Sequence, residues 1–165
     1  SYGYMADMLG KKDVADEYME KARKLAAEWM RMADDGDHYR LTFDQKGTWS
    51  QKYNLVWDKI LNLNIFPDVV RQKEIRYYLS KMNIYGLPLD SRETYTKTDW
   101  IIWTAAMADS EKDFESFVVP VHKFMNETVD RVPMSDWVFT DKPSYRGFKA
   151  RSVVGGYFIK MLENK

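Results

Sequence analysis

Three polar segments, Asp34 to Trp49, Ile84 to Thr98 and Thr128 to Arg151, each leave an amphipathic helical stretch and enter a nearly all-apolar one. This alternation restricts the chain to layered helical architectures. A helix with one apolar stripe lies at the surface, whereas one that is apolar on most sides needs neighbours all round. The stripe Val14, Tyr18, Ala22, Leu25, Trp29 and Met32 follows a candidate N-cap at Asp13 in steps of three and four. A second stripe, Val70, Ile75, Tyr78, Leu79 and Met82, follows Pro67, which suits a first turn. Ser110 caps a third, with Phe114, Phe117, Val118, Val121, Phe124 and Met125 on one face and Pro120 as an expected kink. Between these outer helices, Tyr53 to Leu63, Trp100 to Ala108 and Val153 to Leu162 read as inner helices, and Tyr2 to Leu9 as the tail of an earlier one. The repeating unit is a helical hairpin of roughly fifty residues.

The expected fold class is therefore all-α: alternating inner and outer helical hairpins forming part of an (α/α) toroid, as one segment spanning residues 1–165. Inner-to-outer connections are short, at Gly10 to Lys12, Asn62 to Phe66 and Asp109 with Ser110. The long outer-to-inner connections, loops 34–49, 84–98 and 128–151, then share one end, above the N-termini of the inner helices. Loops gathered on a rigid scaffold are where binding and catalysis concentrate, and helix N-termini favour negative charge.

Charge and composition remove several function classes. Twenty-five basic residues balance twenty-five acidic ones, so no net field draws the chain to nucleic acid or an anionic membrane surface. No apolar run is long enough to span a bilayer, and membrane insertion is not expected. Without cysteine there is no thiolate nucleophile, disulfide or Cys-ligated zinc. The acidic knot Asp34, Asp35, Asp37 and His38 around Gly36 lacks the spacing of an EF-hand loop. No metal and no cofactor are expected.

Within the loops, Asp34 and Asp35 read as solvated acids around a capping Gly36, while Asp37 and His38 are candidates for proton transfer and substrate binding. Thr98 can cap the third inner helix, with Asp99 in its first turn facing the helix dipole; Asp99 is also a candidate catalytic acid. Glu93 has no capping role, and a carboxylate buried in a Tyr- and Trp-lined mouth serves as a proton donor near neutral pH. Trp49 and Trp137 lie in polar contexts and suit either a flat polar ligand or inward packing. Gln51, Arg92, Tyr95, Lys97, Trp100, Asp136 and Arg151 complete the candidate substrate-binding set.

These loops carry a resemblance. Asp34-Asp35-Gly36-Asp37-His38-Tyr39-Arg40-Leu41, Gly47-Thr48-Trp49-Ser50-Gln51-Lys52-Tyr53-Asn54, Gly86-Leu87-Pro88-Leu89-Asp90-Ser91-Arg92, Thr98-Asp99-Trp100 and Ala150-Arg151-Ser152-Val153-Val154-Gly155-Gly156 resemble the C-terminal region of the secreted glutaminases typified by fungal glutaminase A, with their bacterial relatives. The resemblance implies a toroid similar to the six-hairpin glycosidases, export from the cytoplasm to a secreted, periplasmic or cell-surface location, and hydrolysis of the side-chain amide of L-glutamine. It assigns no catalytic residues. On residue chemistry, an amidohydrolase would use Asp37 or Glu93 for protons and Arg92 or Arg151 for a substrate carboxylate. A glycoside hydrolase or sugar-binding toroid would pair carboxylates from Asp37, Glu93, Asp99 and Asp136. The substrate is a small molecule, glutamine or a sugar, in either case. With about three and a half hairpins where such a ring has six, the chain reads as a fragment of a longer protein. Its apolar ring flanks would then meet the rest of that parent or a second copy.

Overall fold

The computed structural model describes residues 1–164 and is mainly α-helical. α1 (Tyr2–Met8) and α2 (Lys12–Ala33) form the first hairpin. A 3₁₀ turn, Tyr53–Leu55, runs into the short α3 (Val56–Ile60), and α4 (Asp68–Leu79) follows. α5 (Thr98–Ala106) and α6 (Glu111–Glu127) make the last α-helical pair, and a 3₁₀ helix, Ser152–Asn164, lies against α5. α5 is the centre of the core: Ile101, Ile102, Ala105 and Ala106 are buried together with Val56, Ile75, Tyr78, Leu87, Phe117, Val121 and Ile159. Of the helices expected to be inner, α5 alone is buried on most sides; α3 buries Val56, and the 3₁₀ helix buries Ile159 among its described side chains.

Local chemistry sets the helix boundaries. α2 begins one residue before Asp13, which sits in the first turn and not at the cap. Gly36 does not cap α2, which ends at Ala33; its φ of +85° serves a turn farther on. Ser110 caps α6 as expected, its Oγ accepting the Asp113 N–H at 3.1 Å, and α6 runs continuously through Pro120. The helix expected over Tyr53 to Leu63 stops early, because Asn62 and Asn64 take φ of 50° and 53°, a left-handed conformation that asparagine tolerates. The Asp58 carboxylate then accepts the N–H groups of Ile65 and Phe66, each at 3.0 Å, and turns the chain towards α4. Val153 to Leu162 is 3₁₀ and not α. It contains Gly155 and Gly156, and glycine is a poor α-helix former.

The expectation of a wholly helical chain is corrected by a three-stranded antiparallel sheet of order β1-β2-β3. β1 (Tyr95–Lys97) comes from the second loop, and β2 (Trp137–Phe139) and β3 (Tyr145–Gly147) from the third. Tyr95 pairs with Phe139 and Lys97 with Trp137. Thr96 and Val138 are fully buried between half-buried neighbours, the period-two pattern of a strand with one face on the core. Backbone bonds tie the rest of the loop layer: Gln51 N–H to the Leu89 carbonyl (2.8 Å), Ser91 N–H to that of Trp49 (2.9 Å), Tyr85 N–H to that of Thr140 (2.9 Å) and Thr98 N–H to that of Asp136 (2.8 Å). All three loops are therefore joined in one layer, beside the start of α5.

Gly86 anchors this layer to the core. Its φ is +134°, and a Cβ there would stand 2.8 Å from Ile101 Cδ1. Gly86→Ala is expected to lower stability by about 1–3 kcal/mol through strain and overpacking; an unchanged denaturant midpoint would contradict this placement.

Candidate functional site

Loop one is mostly scaffold. Asp34 pairs with Lys73, and Asp35 accepts from the Gly47 N–H at 2.6 Å and from Arg40, contacts that hold its carboxyl below the usual carboxylate range. Asp37 is exposed, with Oδ1 2.7 Å from His38 Nδ1. His38 is buried, stacked on Tyr77 at 4.1 Å, and its Nε2 lies 3.1 Å from the Thr48 carbonyl. Trp49 is in the core against Tyr77 and Tyr78. The Gln51 amide is committed: Nε2 donates to the carbonyls of Leu87 and Pro88 and to Thr96 Oγ1, and Oε1 accepts from Thr104 Oγ1. His38 and Trp49, expected to face a substrate, thus sit in the support beneath the loops, while Gln51, its amide already bonded, lines the edge of an open cleft.

Beneath loop one lies a buried charge network that sequence reasoning missed. Glu74 is fully buried on α4 and accepts from the Tyr39 N–H (2.7 Å) and the Tyr78 hydroxyl. Lys52 Nζ stands 3.8 Å from Glu74 Oε2 and donates to the Tyr39 carbonyl and to both oxygens of Ser50. Burial pushes the Glu74 carboxyl up and the Lys52 ammonium down.

In loop two, Arg92 grips Asp90 through two nitrogens, at 3.0 and 2.7 Å, so its fork is occupied. Glu93 is exposed and makes no side-chain hydrogen bond or ion pair among the described residues. It therefore lacks the burial on which its expected role as a proton donor rested. Trp100 stacks on Tyr53 (4.1 Å, 10°) along an open cleft of about 530 Å³ that Ser50, Lys52 and Asn54 also line. Tyr95 packs edge-on to Trp137, which also meets Phe148; the Arg151 guanidinium stands 4.7 Å from the Phe148 ring.

Where β1 runs into α5, the fold brings two buried carboxylates together. Asp99 occupies the first turn of α5, and Asp136 immediately precedes β2. The register Lys97 to Trp137 and the bond from Thr98 N–H to the Asp136 carbonyl hold them side by side. They are 4% and 2% exposed, and Oδ1 of each has no hydrogen-bond partner. Asp136 Oδ2 receives Lys97 Nζ at 2.8 Å. Burial, and then the charge of Asp136, push the Asp99 carboxyl up to about 6, against the N–H groups of Asp99 and Trp100, which favour its ionised form. Tyr157, from the 3₁₀ helix, places its hydroxyl 2.6 Å from Thr98 Oγ1, and burial raises it to about 12. One acid in contact with a lysine, beside one whose carboxyl is pushed up to about 6, is an arrangement suited to proton transfer.

Of the residues expected at the site, the structure thus brings Lys97, Asp99 and Asp136 to one point, with Trp137 over the lysine at 5.1 Å. It keeps Asp37, Glu93 and Arg92 on the exposed surface. Tyr157 gave no signal in the sequence, being one aromatic residue in an apolar run.

Among the described residues, no group of three or more His, Asp or Glu could hold a metal ion, and no helix is long and apolar enough to cross a membrane. The profile of the glutaminase A six helical-hairpin domain matches residues 1–161. Among individual proteins, the chain is similar to glutaminase A of Aspergillus oryzae (strain ATCC 42149 / RIB 40), 32% identical over 165 residues. It is also similar to a probable glutaminase of Arthroderma benhamiae (strain ATCC MYA-4681 / CBS 112371), 30% identical over 185 residues. These matches cover 96% and 93% of this chain but 24% and 21% of the relatives, so the chain spans about a quarter of their length or less. With loops, helical hairpins and relatives in agreement, the chain belongs to the glutaminase A six helical-hairpin domain family.

Proposed function

We propose that this chain is part of a glutaminase-like hydrolase that cleaves the side-chain amide of L-glutamine, within a secreted or cell-surface parent protein whose hairpins complete a toroid. The observation that carries this reading is the Asp99–Asp136 pair, with one acid near half-protonation around pH 6 and the other paired with Lys97. Water adds to the amide carbon, the C–N bond breaks, and nitrogen leaves as ammonia with a proton from Asp99; a proton of the attacking water restores the acid. Arg151, which has no ion pair among the described residues, is the cation we assign to the substrate carboxylate.

A second reading, glycoside hydrolysis or sugar binding, draws on the same two carboxylates and on the Trp100–Tyr53 stack beside the open cleft. The two separate in one assay on the parent protein: ammonia release from glutamine against reducing-sugar release from a glycan panel. Ammonia release without sugar release is expected, and the reverse would replace the first reading with the second. Exposed apolar side chains on α1 (Met5, Met8) and on the 3₁₀ helix (Phe158, Met161) support the proposal that these flanks face further hairpins. The 165 residues alone are then expected to be inactive and to sediment as a dimer or larger; a strictly monomeric species at micromolar concentration would refute uncovered flanks.

A further inference from the structure

The chain is neutral as a whole, yet its charge is unevenly spread: 142–151 holds four cations, Lys142, Arg146, Lys149 and Arg151, and no acid. The fold sets much of this segment on the outer face of the sheet. Thr96 and Val138 are buried on the core side, so Tyr95 and Trp137 take the opposite face, where their rings meet at 5.4 Å. Phe148 extends the row, 4.9 Å from Trp137. The register between β2 and β3 shifts between Trp137 and Val138 and leaves Arg146 as the extra residue of a bulge, a device that re-aims a side chain. Its guanidinium stands 5.0 Å from the Trp137 ring and 5.7 Å from that of Tyr95. Phe148 and Ala150 then take φ of 49° and 55°, a conformation that bulky residues rarely adopt and that proteins keep at ligand clamps and similar sites. The bond from Ala150 N–H to the Met134 carbonyl, 3.0 Å, holds this turn, and Phe148 stays 52% exposed.

Arg146 and Lys149 are exposed and Arg151 is half-buried, and none of the three makes an ion pair or side-chain hydrogen bond among the described residues. The acids nearby are engaged or distant. Asp136 is buried against Lys97, and Asp130 accepts the Tyr145 N–H at 3.0 Å. Glu93 and Asp141 belong to the far end of the sheet, where the Thr140 N–H meets the Thr94 carbonyl at 2.8 Å. We propose that the face around Phe148 docks a short acidic polypeptide segment, its carboxylates on Arg146 and Lys149 and its apolar parts on Phe148. Arginine with tryptophan and tyrosine is the composition that carries most of the binding energy at protein interfaces, and the arginine fork matches a carboxylate. A nucleic-acid strand would need open ring faces for its bases, whereas Trp137 is already surrounded by Tyr95, Phe148, Lys97 and Arg146. Strands about 4.8 Å apart make a three-stranded face roughly 10 Å across, which fits about three extended residues and suits a segment better than a domain. Arg151, at the border of this face, is assigned above to the substrate carboxylate and stays outside the test.

The test titrates fluorescently labelled poly-L-glutamate with the parent protein and reads anisotropy, with unlabelled poly-L-glutamate, poly-L-glutamine, heparin and oligo-dT as competitors. We expect binding that poly-L-glutamate displaces and poly-L-glutamine does not, and that weakens as salt is raised. Reversing both charges, Arg146→Glu with Lys149→Glu, should weaken it at least ~10-fold. Phe148→Gly removes the ring and leaves a residue at ease with positive φ; it should weaken binding without lowering the thermal midpoint. Failure of the wild-type parent to bind poly-L-glutamate overturns the proposal, as does equal affinity in the charge-reversed variant. Heparin or oligo-dT binding more tightly than poly-L-glutamate, at equal concentration of charge, assigns the face to another class of polymer and overturns it too. If the charge-reversed variant fails to fold, wild-type affinity in Phe148→Gly decides against docking. Ammonia release is not a readout here, so this inference and the glutaminase reading stand or fall separately.

Discussion

Asp99→Asn in the parent protein is expected to lower ammonia release from glutamine at least ~10²-fold, the usual contribution of a positioned proton donor, and to make the folded protein more stable at neutral pH. The two effects have one cause. Burial and the neighbouring Asp136 push the Asp99 carboxyl up to about 6, above its ordinary value of 3.8. The folded chain therefore binds a proton there more tightly than the unfolded chain does, and this contribution is fully present below the unfolded value and lost as pH rises through about 6. At ~1.4 kcal/mol per pKa unit, the rise from 3.8 to about 6 means that the ionised group burdens the neutral-pH fold by on the order of 3 kcal/mol, a burden that the neutral amide does not carry. Wild-type kcat/KM should fall as pH rises above about 6. Asp136→Asn should also impair turnover, because it leaves Lys97 without its carboxylate and removes the second largest cause of the raised Asp99 value. Thermal melts at acid and neutral pH, read beside initial rates, check both halves. An Asp99→Asn variant that keeps its activity, or melts lower at neutral pH, would contradict this account of the pair.

Lys52→Met is expected to be the most damaging substitution outside the site. It removes the cation 3.8 Å from a carboxylate that is fully buried, leaving Glu74 with the Tyr39 N–H and the Tyr78 hydroxyl as donors. Removing one member of a buried pair costs about 3–5 kcal/mol, because the other charge stays behind in a medium that solvates it poorly. Burial already raises the Glu74 carboxyl, and loss of Lys52 raises it further. The deficit should therefore shrink as pH falls and Glu74 takes up its proton. Urea unfolding at neutral and at acid pH measures this directly; a pH-independent deficit would point to lost packing of the lysine stem instead. Because Lys52 also holds the carbonyls of Tyr39 and Ser50, the variant should loosen loop one at both ends.

The helices α2 and α6 were legible because they carry sustained three- and four-residue spacing, and the Ser110 cap is a local signal that tertiary context does not override; α4 was marked mainly by the proline at its start. The sheet was not, because strands of three residues are shorter than the window in which alternation can be distinguished from chance. The early end of the helix at Ile60 depends on two asparagines taking positive φ, which the sequence permits but does not demand. At the site, Asp99, Lys97 and Asp136 were candidates by the loops that hold them, although the first-turn position of Asp99 also read as a purely structural one. Their meeting depends on strand register between segments that are distant in sequence. Glu74 sits between Lys73 and Ile75 on a charged-looking helix and reads there as a solvated acid; only the fold turns it inward. Tyr157 lies in an apolar run, where an aromatic residue reads as packing.

The loop layer is sewn together largely by main-chain bonds, from Gln51 to Leu89, Tyr85 to Thr140 and along β1 and β2. Such bonds are indifferent to which side chain each position bears but not to how many positions there are. Point substitutions in the mouth can therefore accumulate without loss of its frame, whereas one inserted residue in 95–97 or 137–139 would turn every following side chain to the opposite face. Related domains should accordingly diverge in the chemistry of these segments while keeping their lengths, and a loop transplanted from one to another should work only when its strand partner travels with it.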